Sequence, residues 1–263
     1  MRDLRVALVQ ASTVWRDAAA NRALYGELAR SLAGRADLIV LPETFLSGFS
    51  NDAVANAETM EGEGMAWLAA LAREVDAVIT GSLVMRVGDK VFNRLIWMRP
   101  DGSHAHYDKR HLFRMAAEHA RYAGGAERVI VELHGWRICP QVCYDLRFPV
   151  WSRNRMGADG RLDYDLILYV ANWPNPRRHA WRTLLRARAI ENLSYCVGVN
   201  RVGTDGNNLT YAGDSVALDF MGEPLVELGE QANVVVATLS GENQQAWRVK
   251  FPTWLDADAF ELG

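Results

Sequence analysis

Two stretches of this chain follow one plan. Ala36-Asp37-Leu38-Ile39-Val40-Leu41-Pro42-Glu43 and Tyr164-Asp165-Leu166-Ile167-Leu168-Tyr169-Val170-Ala171-Asn172-Trp173-Pro174 each open on an Asp-Leu-Ile step, run through apolar residues and end on a polar residue beside proline. A run that is apolar at every position, without period-two alternation, reads as a strand buried on both faces. Such strands need helices or a second sheet over each face, and the intervening segments supply both. Residues 5–10 read as a strand, 17–32 as a helix stopped by Gly34, and 64–75 as a second helix. Strands over 77–87 and 90–98 follow, joined by the Gly88-Asp89 turn. The second half repeats the plan with a strand over 137–142, a short helix over 150–156, the 164–172 strand and a strongly helical 178–192. A strand over 195–202, a hairpin of 211–220 with 224–228, and a last core strand over 234–239 complete it. The halves look pseudo-symmetric. The fold class is α/β, and if two sheets pack together it is a four-layer α-β-β-α sandwich; the pattern alone leaves an ordinary three-layer sheet equally open.

The 263 residues are 49% hydrophobic, enough for a substantial core, and a net charge of -3 gives no electrostatic reason to bind nucleic acid or an anionic membrane. No low-complexity linker interrupts the pattern, so residues 1–263 are expected to form a single domain, with a core over about 4–240 and a C-terminal tail over about 241–263. The tail has little core pattern and is read as a segment that embraces a partner subunit. The first ten residues read as a strand and not as a signal peptide, and no run approaches membrane-spanning length. Three cysteines, an odd count, point to free thiols in a reducing, cytoplasmic setting. Cys139 and Cys143 share a strand about 13 Å apart, too far for a disulfide.

Candidate chemistry gathers at strand ends, where open α/β sheets bind ligands. The run ending in Val142-Cys143-Tyr144-Asp145 delivers Cys143 to such an end, and a helix starting near Pro149 would place its N-terminus close to the sulfur and favour thiolate. Cys143 is read as the nucleophile, against the alternative of a small buried hydrophobe. Glu43 is either a general base at the ligand edge or a solvated loop residue. His104, His106, His111 and His119 invite a metal reading, but no ligand spacing supports one, and residues 104–113 are read as running into an irregular, surface-facing region. Residues 114–125, with Glu118 and Gly124-Gly125, are long enough to cover a site.

Taken together, Leu41-Pro42-Glu43-Thr44-Phe45, Tyr107-Asp108-Lys109-Arg110-His111-Leu112-Phe113 and Val142-Cys143-Tyr144-Asp145-Leu146-Arg147-Phe148-Pro149 resemble the carbon-nitrogen hydrolase (nitrilase) superfamily, in the right order from Leu4 to about Ser240. The resemblance implies the four-layer sandwich, a catalytic Glu43-Lys109-Cys143 triad, a second glutamate at Glu118, and neither a metal nor an organic cofactor. Val-Ala-Asn-Trp-Pro and Arg-Ala-Ile-Glu-Asn extend it to the bacterial ω-amidase branch, which deaminates monoamides of short dicarboxylic acids such as 2-oxoglutaramate. Pro140-Gln141 and Val150 stand where many relatives carry glycine and glutamate, so fine specificity is not carried over.

What this implies is a thioester route. Glu43 takes the Cys143 proton and gives it to departing ammonia, Lys109 and the backbone N–H of Tyr144 hold the oxyanion, and Glu43 or Glu118 activates water. Arg147, Asn172 and Trp173 are the substrate-binding candidates. For Arg147 a structural ion pair with a neighbouring carboxylate is preferred, with an arginine near Arg178 as another cation for the substrate. The expected partner is a small amide and the expected assembly a homo-oligomer, dimer or higher. The rivals are a nitrilase, an N-carbamoyl amidohydrolase or another amidase, and, outside catalysis, a thiol-based binding or redox protein.

Overall fold

A computed structural model of the chain describes residues 1–258 and 260; the end of the expected tail lies outside the described residues. The first half runs β1 (Leu4–Gln10), α1 (Ala18–Arg30), β2 (Leu38–Val40), α2 (Glu63–Val75), β3 (Val78–Val87), β4 (Lys90–Met98) and β5 (His104–Asp108). The second runs β6 (Val131–Leu133), β7 (Trp136–Val142), α3 (Pro149–Ser152), β8 (Leu166–Ala171), α4 (Arg178–Asn192) and β9 (Tyr195–Asn200). Then come β10 (Val202–Thr204), β11 (Thr210–Ala212), β12 (Val216–Leu218), β13 (Pro224–Glu227), β14 (Asn233–Leu239) and α5 (Gly241–Lys250).

Two six-stranded sheets form, in the orders β14-β1-β2-β3-β4-β5 and β6-β7-β8-β9-β12-β13, with β10 and β11 as a separate ribbon. Within them β1, β2 and β3 are parallel, as are β7, β8 and β9, and antiparallel strands flank each trio. The internal repeat is therefore real at the level of topology. It extends to side chains: the Arg5 N–H donates to Asp37 at 2.9 Å and the Arg137 N–H to Asp165 at 3.0 Å, so the same aspartate clamp opens β2 and β8.

Side chains of β1 and β2 alternate between two cores. Val6, Leu8, Leu38 and Val40 pack with Ile138, Val142, Leu166 and Val197 of the other sheet, whereas Ala7, Val9 and Ile39 face Tyr25, Ala29, Leu68 and Leu71 of α1 and α2. On the far side α4 lays Trp181, Leu185 and Ala189 on the second sheet. Its approach depends on Gly198 of β9, where a Cβ would meet Leu185 at 2.6 Å and Trp181 at 2.8 Å. The layers are helix, sheet, sheet, helix, the α-β-β-α sandwich. No helix among the described residues is long and apolar enough to cross a membrane.

The structure corrects three expectations. Residues 104–108 are not irregular: they form β5, paired antiparallel with β4, because Tyr107 alternates inward between exposed histidines. The expected 211–220 strand breaks into β11 and β12 at Gly213 and Asp214, both with left-handed backbone. Residues 241–250 are no loose tail but a helix capped by Ser240 that anchors to its own chain. Gln244 donates to the Asp165 carbonyl at 2.7 Å, and the buried Arg248 guanidinium reaches Asp165 Oδ1 at 2.6 Å, the Tyr164 carbonyl at 2.9 Å and the Leu193 carbonyl at 3.0 Å. The 241–250 stretch lacks an apolar stripe because polar side chains, not leucines, make this contact.

Arg248→Met should therefore lower the unfolding free energy by about 3 kcal/mol or more, since Asp165 would keep a buried charge without its partner. Urea unfolding measures this; a midpoint unchanged from the parent protein would show that α5 adds nothing to the fold.

Candidate active site

The ends of four strands converge where the two sheets meet. Glu43 follows β2, Lys109 follows β5, Cys143 follows β7 and Asn172 follows β8. Glu43 and Glu118 have no exposed surface and Lys109 is 1% exposed, so all three charges are held away from water. The Lys109 Nζ donates to Glu43 Oε1 and to both oxygens of Glu118, each at 3.0 Å. Glu43 also accepts from Asn93 Nδ2 at 2.7 Å on Oε1 and from the Asn172 N–H at 2.7 Å on Oε2. Glu118 accepts the Phe113 N–H at 2.6 Å, which ties the 114–122 segment to the lysine.

Cys143 occupies a strained turn. Its φ is 44° and that of Thr44, beside Glu43, is 42°, left-handed values that cost non-glycine residues about 1 kcal/mol or more. Asp145 holds the turn shut: it accepts the Val142 N–H at 3.1 Å, the Tyr107 hydroxyl at 2.8 Å and the His111 N–H at 3.0 Å. The His111 ring lies 2.8 Å from the same carboxylate and stacks on Phe148 at 3.7 Å. This histidine is thus committed to the turn, and among the described residues no three His, Cys, Asp or Glu side chains are grouped to hold a metal ion. After Cys143 the chain continues as a 3-10 segment, Cys143–Arg147, whose first N–H groups, that of Tyr144 included, have no partner from within the turn.

The ionisation pattern overturns the expected thiolate. Burial first, then the neighbouring Glu43 carboxylate, push the Cys143 thiol well above its ordinary 9.0, and Lys109 only partly offsets them. The helix expected to favour thiolate, α3, is four residues long and begins six positions beyond the sulfur, with the 3-10 segment between. Glu43 is the carboxylate that acts most strongly on the Cys143 thiol, and both line the same cavity. Burial alone would pull the Lys109 ammonium down, but Glu118 and Glu43 override it and hold it well above the usual lysine range. The Glu118 carboxyl is raised, by burial first, against the pull of Lys109. Cys139 and Cys196 are buried free thiols off the site, and burial pushes Cys139 up to about 11.

Glu43, Lys109 and Cys143 open on a cavity of about 170 Å³, lined among others by Phe49, Phe113, Trp173, Leu209 and Tyr211. Arg147 and Arg177 also line it. The Arg147 guanidinium lies 4.8 Å over the Trp173 ring and that of Arg177 lies 5.2 Å over Phe113. Among the described residues neither has a carboxylate within ion-pair distance, so the structural ion pair expected for Arg147 is absent; its place is taken by an aromatic face. Arg178, Arg182 and Arg186 are not available to a ligand: Arg178 binds Asp214 and Glu230, and the other two share Glu227. Asn172 lines the cavity, but its side chain donates to the Glu43 carbonyl at 2.8 Å and to Thr44 Oγ1 at 3.0 Å, which makes it a brace for the Glu43 turn. Trp173 forms wall and platform together.

Sequence reading missed Asn93, Arg177 and the β10–β11 wall. Asn93 sits in an ordinary amphipathic strand and carries no motif. Arg177 was legible only as one of several arginines at the start of α4, and what distinguishes it is the absence of an acid nearby. Asp205 shapes the wall by accepting the Asn207 and Leu209 N–H groups at 2.8 and 3.0 Å and the Tyr211 hydroxyl at 2.8 Å. Chemically the cavity offers a thiol, a carboxylate with an ammonium bound to it, and two guanidiniums.

The carbon-nitrogen hydrolase family model matches residues 5–249. Omega-amidase YafV of Yersinia enterocolitica is 49% identical over 263 residues, all of both chains. The 2-oxoglutaramate amidase of Bacillus subtilis is 30% identical over 84% of this chain and 85% of its own. A solved structure of a CN-hydrolase superfamily protein from Xanthomonas campestris, with an arsenic adduct in its active site, has a TM-score of 0.99 and 57% identity across the whole of both chains.

Because the Cys143 thiol is raised and not depressed, the resting protein should show no thiolate absorbance at 240 nm assignable to Cys143 between about pH 6 and about pH 9. Parent and Cys143→Ala should give superimposable titrations there; a step lost only in the variant would restore the thiolate.

Proposed function

The chain belongs to the carbon-nitrogen hydrolase family, and from that membership and the cavity we propose that residues 1–263 act as one domain, an ω-amidase that hydrolyses the terminal amide of short dicarboxylate monoamides to acid and ammonia. The relatives named ω-amidase and 2-oxoglutaramate amidase support this class of substrate. The observation that carries the reading is that Cys143, Glu43 and Lys109 share one small cavity with two guanidiniums, Arg147 and Arg177, that have no ion-pair partner among the described residues. A small amide with a carboxylate at its far end fits both.

In this mechanism the Cys143 Sγ attacks the amide carbon as Glu43 removes its proton. The oxyanion forms between Lys109 Nζ and the Tyr144 N–H, donors typically worth about 3 kcal/mol each. Glu43 returns the proton to nitrogen, the C–N bond breaks, and ammonia leaves a Cys143 thioester. Water then adds to the thioester with Glu43 as base once more, releasing the acid and restoring the thiol. Glu118 serves better as the support of Lys109 than as a second base, since both of its oxygens are on the ammonium and one also takes the Phe113 N–H. Arg147, with Arg177 beside it, takes the distal carboxylate, and Trp173 keeps the guanidinium flat. We also infer a homodimer, which would cover exposed Val150, Ile190, Val249 and Leu255; sedimentation at the 29.4 kDa monomer mass would exclude it.

Cys143→Ala and Glu43→Gln should each reduce turnover by about a thousandfold or more with unchanged circular dichroism, because each acts in both half-reactions. Ammonia release from glutaramate should exceed that from butyramide by about a hundredfold in kcat/KM, and Arg147→Met should erase most of that ratio. Equal rates on the two amides would remove carboxylate recognition, and a preference for a nitrile would move the protein to the nitrilase reading.

A further inference from the structure

Asn93 lies 1% exposed in the middle of β4 and has no part in the chemistry described so far. Its side-chain amide donates to Glu43 Oε1 at 2.7 Å and stands 3.5 Å from Glu118 Oε1, while its backbone carbonyl accepts the Lys109 N–H at 3.0 Å. One neutral residue therefore contacts both carboxylates through its side chain and the Lys109 backbone through its carbonyl, joining the turn after β2, the end of β5 and the 114–122 segment.

The hydrogen-bond count at Lys109 gives this contact a purpose. An ammonium has three N–H donors. In the resting site they face Glu43 Oε1, Glu118 Oε1 and Glu118 Oε2, each at 3.0 Å. An oxyanion beside Lys109 needs one of them, and the bond to Glu43 is the one to give up, because Glu118 is held to the lysine twice. Without another donor Glu43 Oε1 would then be buried and unpaired at the moment Glu43 receives the thiol proton. Asn93 Nδ2 is that donor, shorter than the lysine contact and free of charge.

We propose that Asn93 is a positioning residue of the amidase reaction, keeping Glu43 anchored through Oε1 while Lys109 turns one N–H to the oxyanion. The inference rests on Glu43 as base and Lys109 as oxyanion donor. The groups facing Glu43 are the Lys109 ammonium, the Glu118 carboxyl, the Cys143 thiol and the phenols of Tyr122 and Tyr211. None of them replaces a neutral donor on Oε1. A second carboxylate there would repel, and the phenols are engaged elsewhere, Tyr122 with the Ser50 carbonyl and Tyr211 with Asp205.

The test is the pH profile of kcat and KM on glutaramate for the full-length protein, Asn93→Ala and the neutral Asn93→Leu of similar shape. A donor favours the ionised carboxylate, so its loss should move the acidic limb of kcat/KM upward by about one pH unit or more. At the plateau kcat should fall about tenfold or more with KM within about twofold of the parent. Asn93→Leu keeps about the same side-chain shape and adds no charge, so the same upward movement in that variant separates the lost donor from a cavity. A folded variant, of either kind, with the parental acidic limb overturns the inference. Glu43→Gln, run in parallel, distinguishes the two levels: turnover with the parental limb in that variant removes Glu43 as base and this inference with it, whereas an inactive Glu43→Gln beside an unshifted Asn93 variant removes Asn93 alone.

Discussion

An ammonium held between two buried carboxylates is what the rest of this molecule is arranged around. Removing each charge from water costs several kcal/mol, and the mutual attraction offsets that only when the remaining lone pairs find donors. Here they do: Asn93 and the Asn172 N–H serve Glu43, and the Phe113 N–H serves Glu118. The cluster of two acids and one base carries a net negative charge when all three are ionised. A thiolate at Cys143 would double it in a site with almost no water. The proton therefore stays on sulfur, which is the direction that burial and Glu43 impose on Cys143. The same arithmetic explains why Lys109 holds its proton against the desolvation that would otherwise remove it.

The fold supplies this cluster by doubling one unit. Each half contributes a parallel trio of strands, and the aspartate clamps at Asp37 and Asp165 fix where β2 and β8 begin. Their far ends then lie side by side, which is why the Asn172 N–H reaches Glu43 across 129 residues of sequence. Two of the left-handed residues sit at the ends that carry the site. Thr44 and Cys143 both take left-handed φ values, and each is pinned by a neighbour: the Thr44 N–H donates to Ser82 Oγ at 2.8 Å, and Asp145 closes the turn at Cys143. Asp145 also receives Tyr107, two residues before Lys109, so the nucleophile turn and the lysine strand share one buried acceptor.

How much of this the sequence discloses depends on the range of the interaction. Buried strands, α1, α2 and the whole of α4 are legible because apolar periodicity is local, and α4 is found with the same bounds, Arg178–Asn192. Glu43, Lys109, Cys143 and Glu118 were legible as a motif set, and the structure brings those four together. β5 was not, since its histidines face outward and only Tyr107 marks the buried side. α5 was missed because its contacts are Gln244 and Arg248 with Asp165, and polar side chains carry no hydrophobic signature. Nor can a pattern say which arginine lacks an acid: Arg177 and Arg178 are neighbours in sequence, and only one has Asp214 beside it. The state of the Cys143 thiol was misjudged for a related reason. A cation near a cysteine suggests thiolate, but two carboxylates share that cation, and their count depends on folding.

A protonated thiol also changes what makes the reaction selective. A standing thiolate would react with any electrophile small enough to enter, whereas in the proposed mechanism a thiol beside its base would become nucleophilic only as an acceptor carbon approaches. Selectivity then rests on what orients the carbonyl, and the cavity is polarised for that purpose. In the proposed reaction a substrate carboxylate would be repelled by Glu43 and attracted to Arg147 and Arg177, which would leave the amide to Cys143. Hydrolysis inverts the fit. The amide, neutral on entry, would become a second carboxylate beside Glu43, and like charges close together in a low-dielectric site repel by more than a single hydrogen bond returns. The field that aligns the substrate therefore also expels the product.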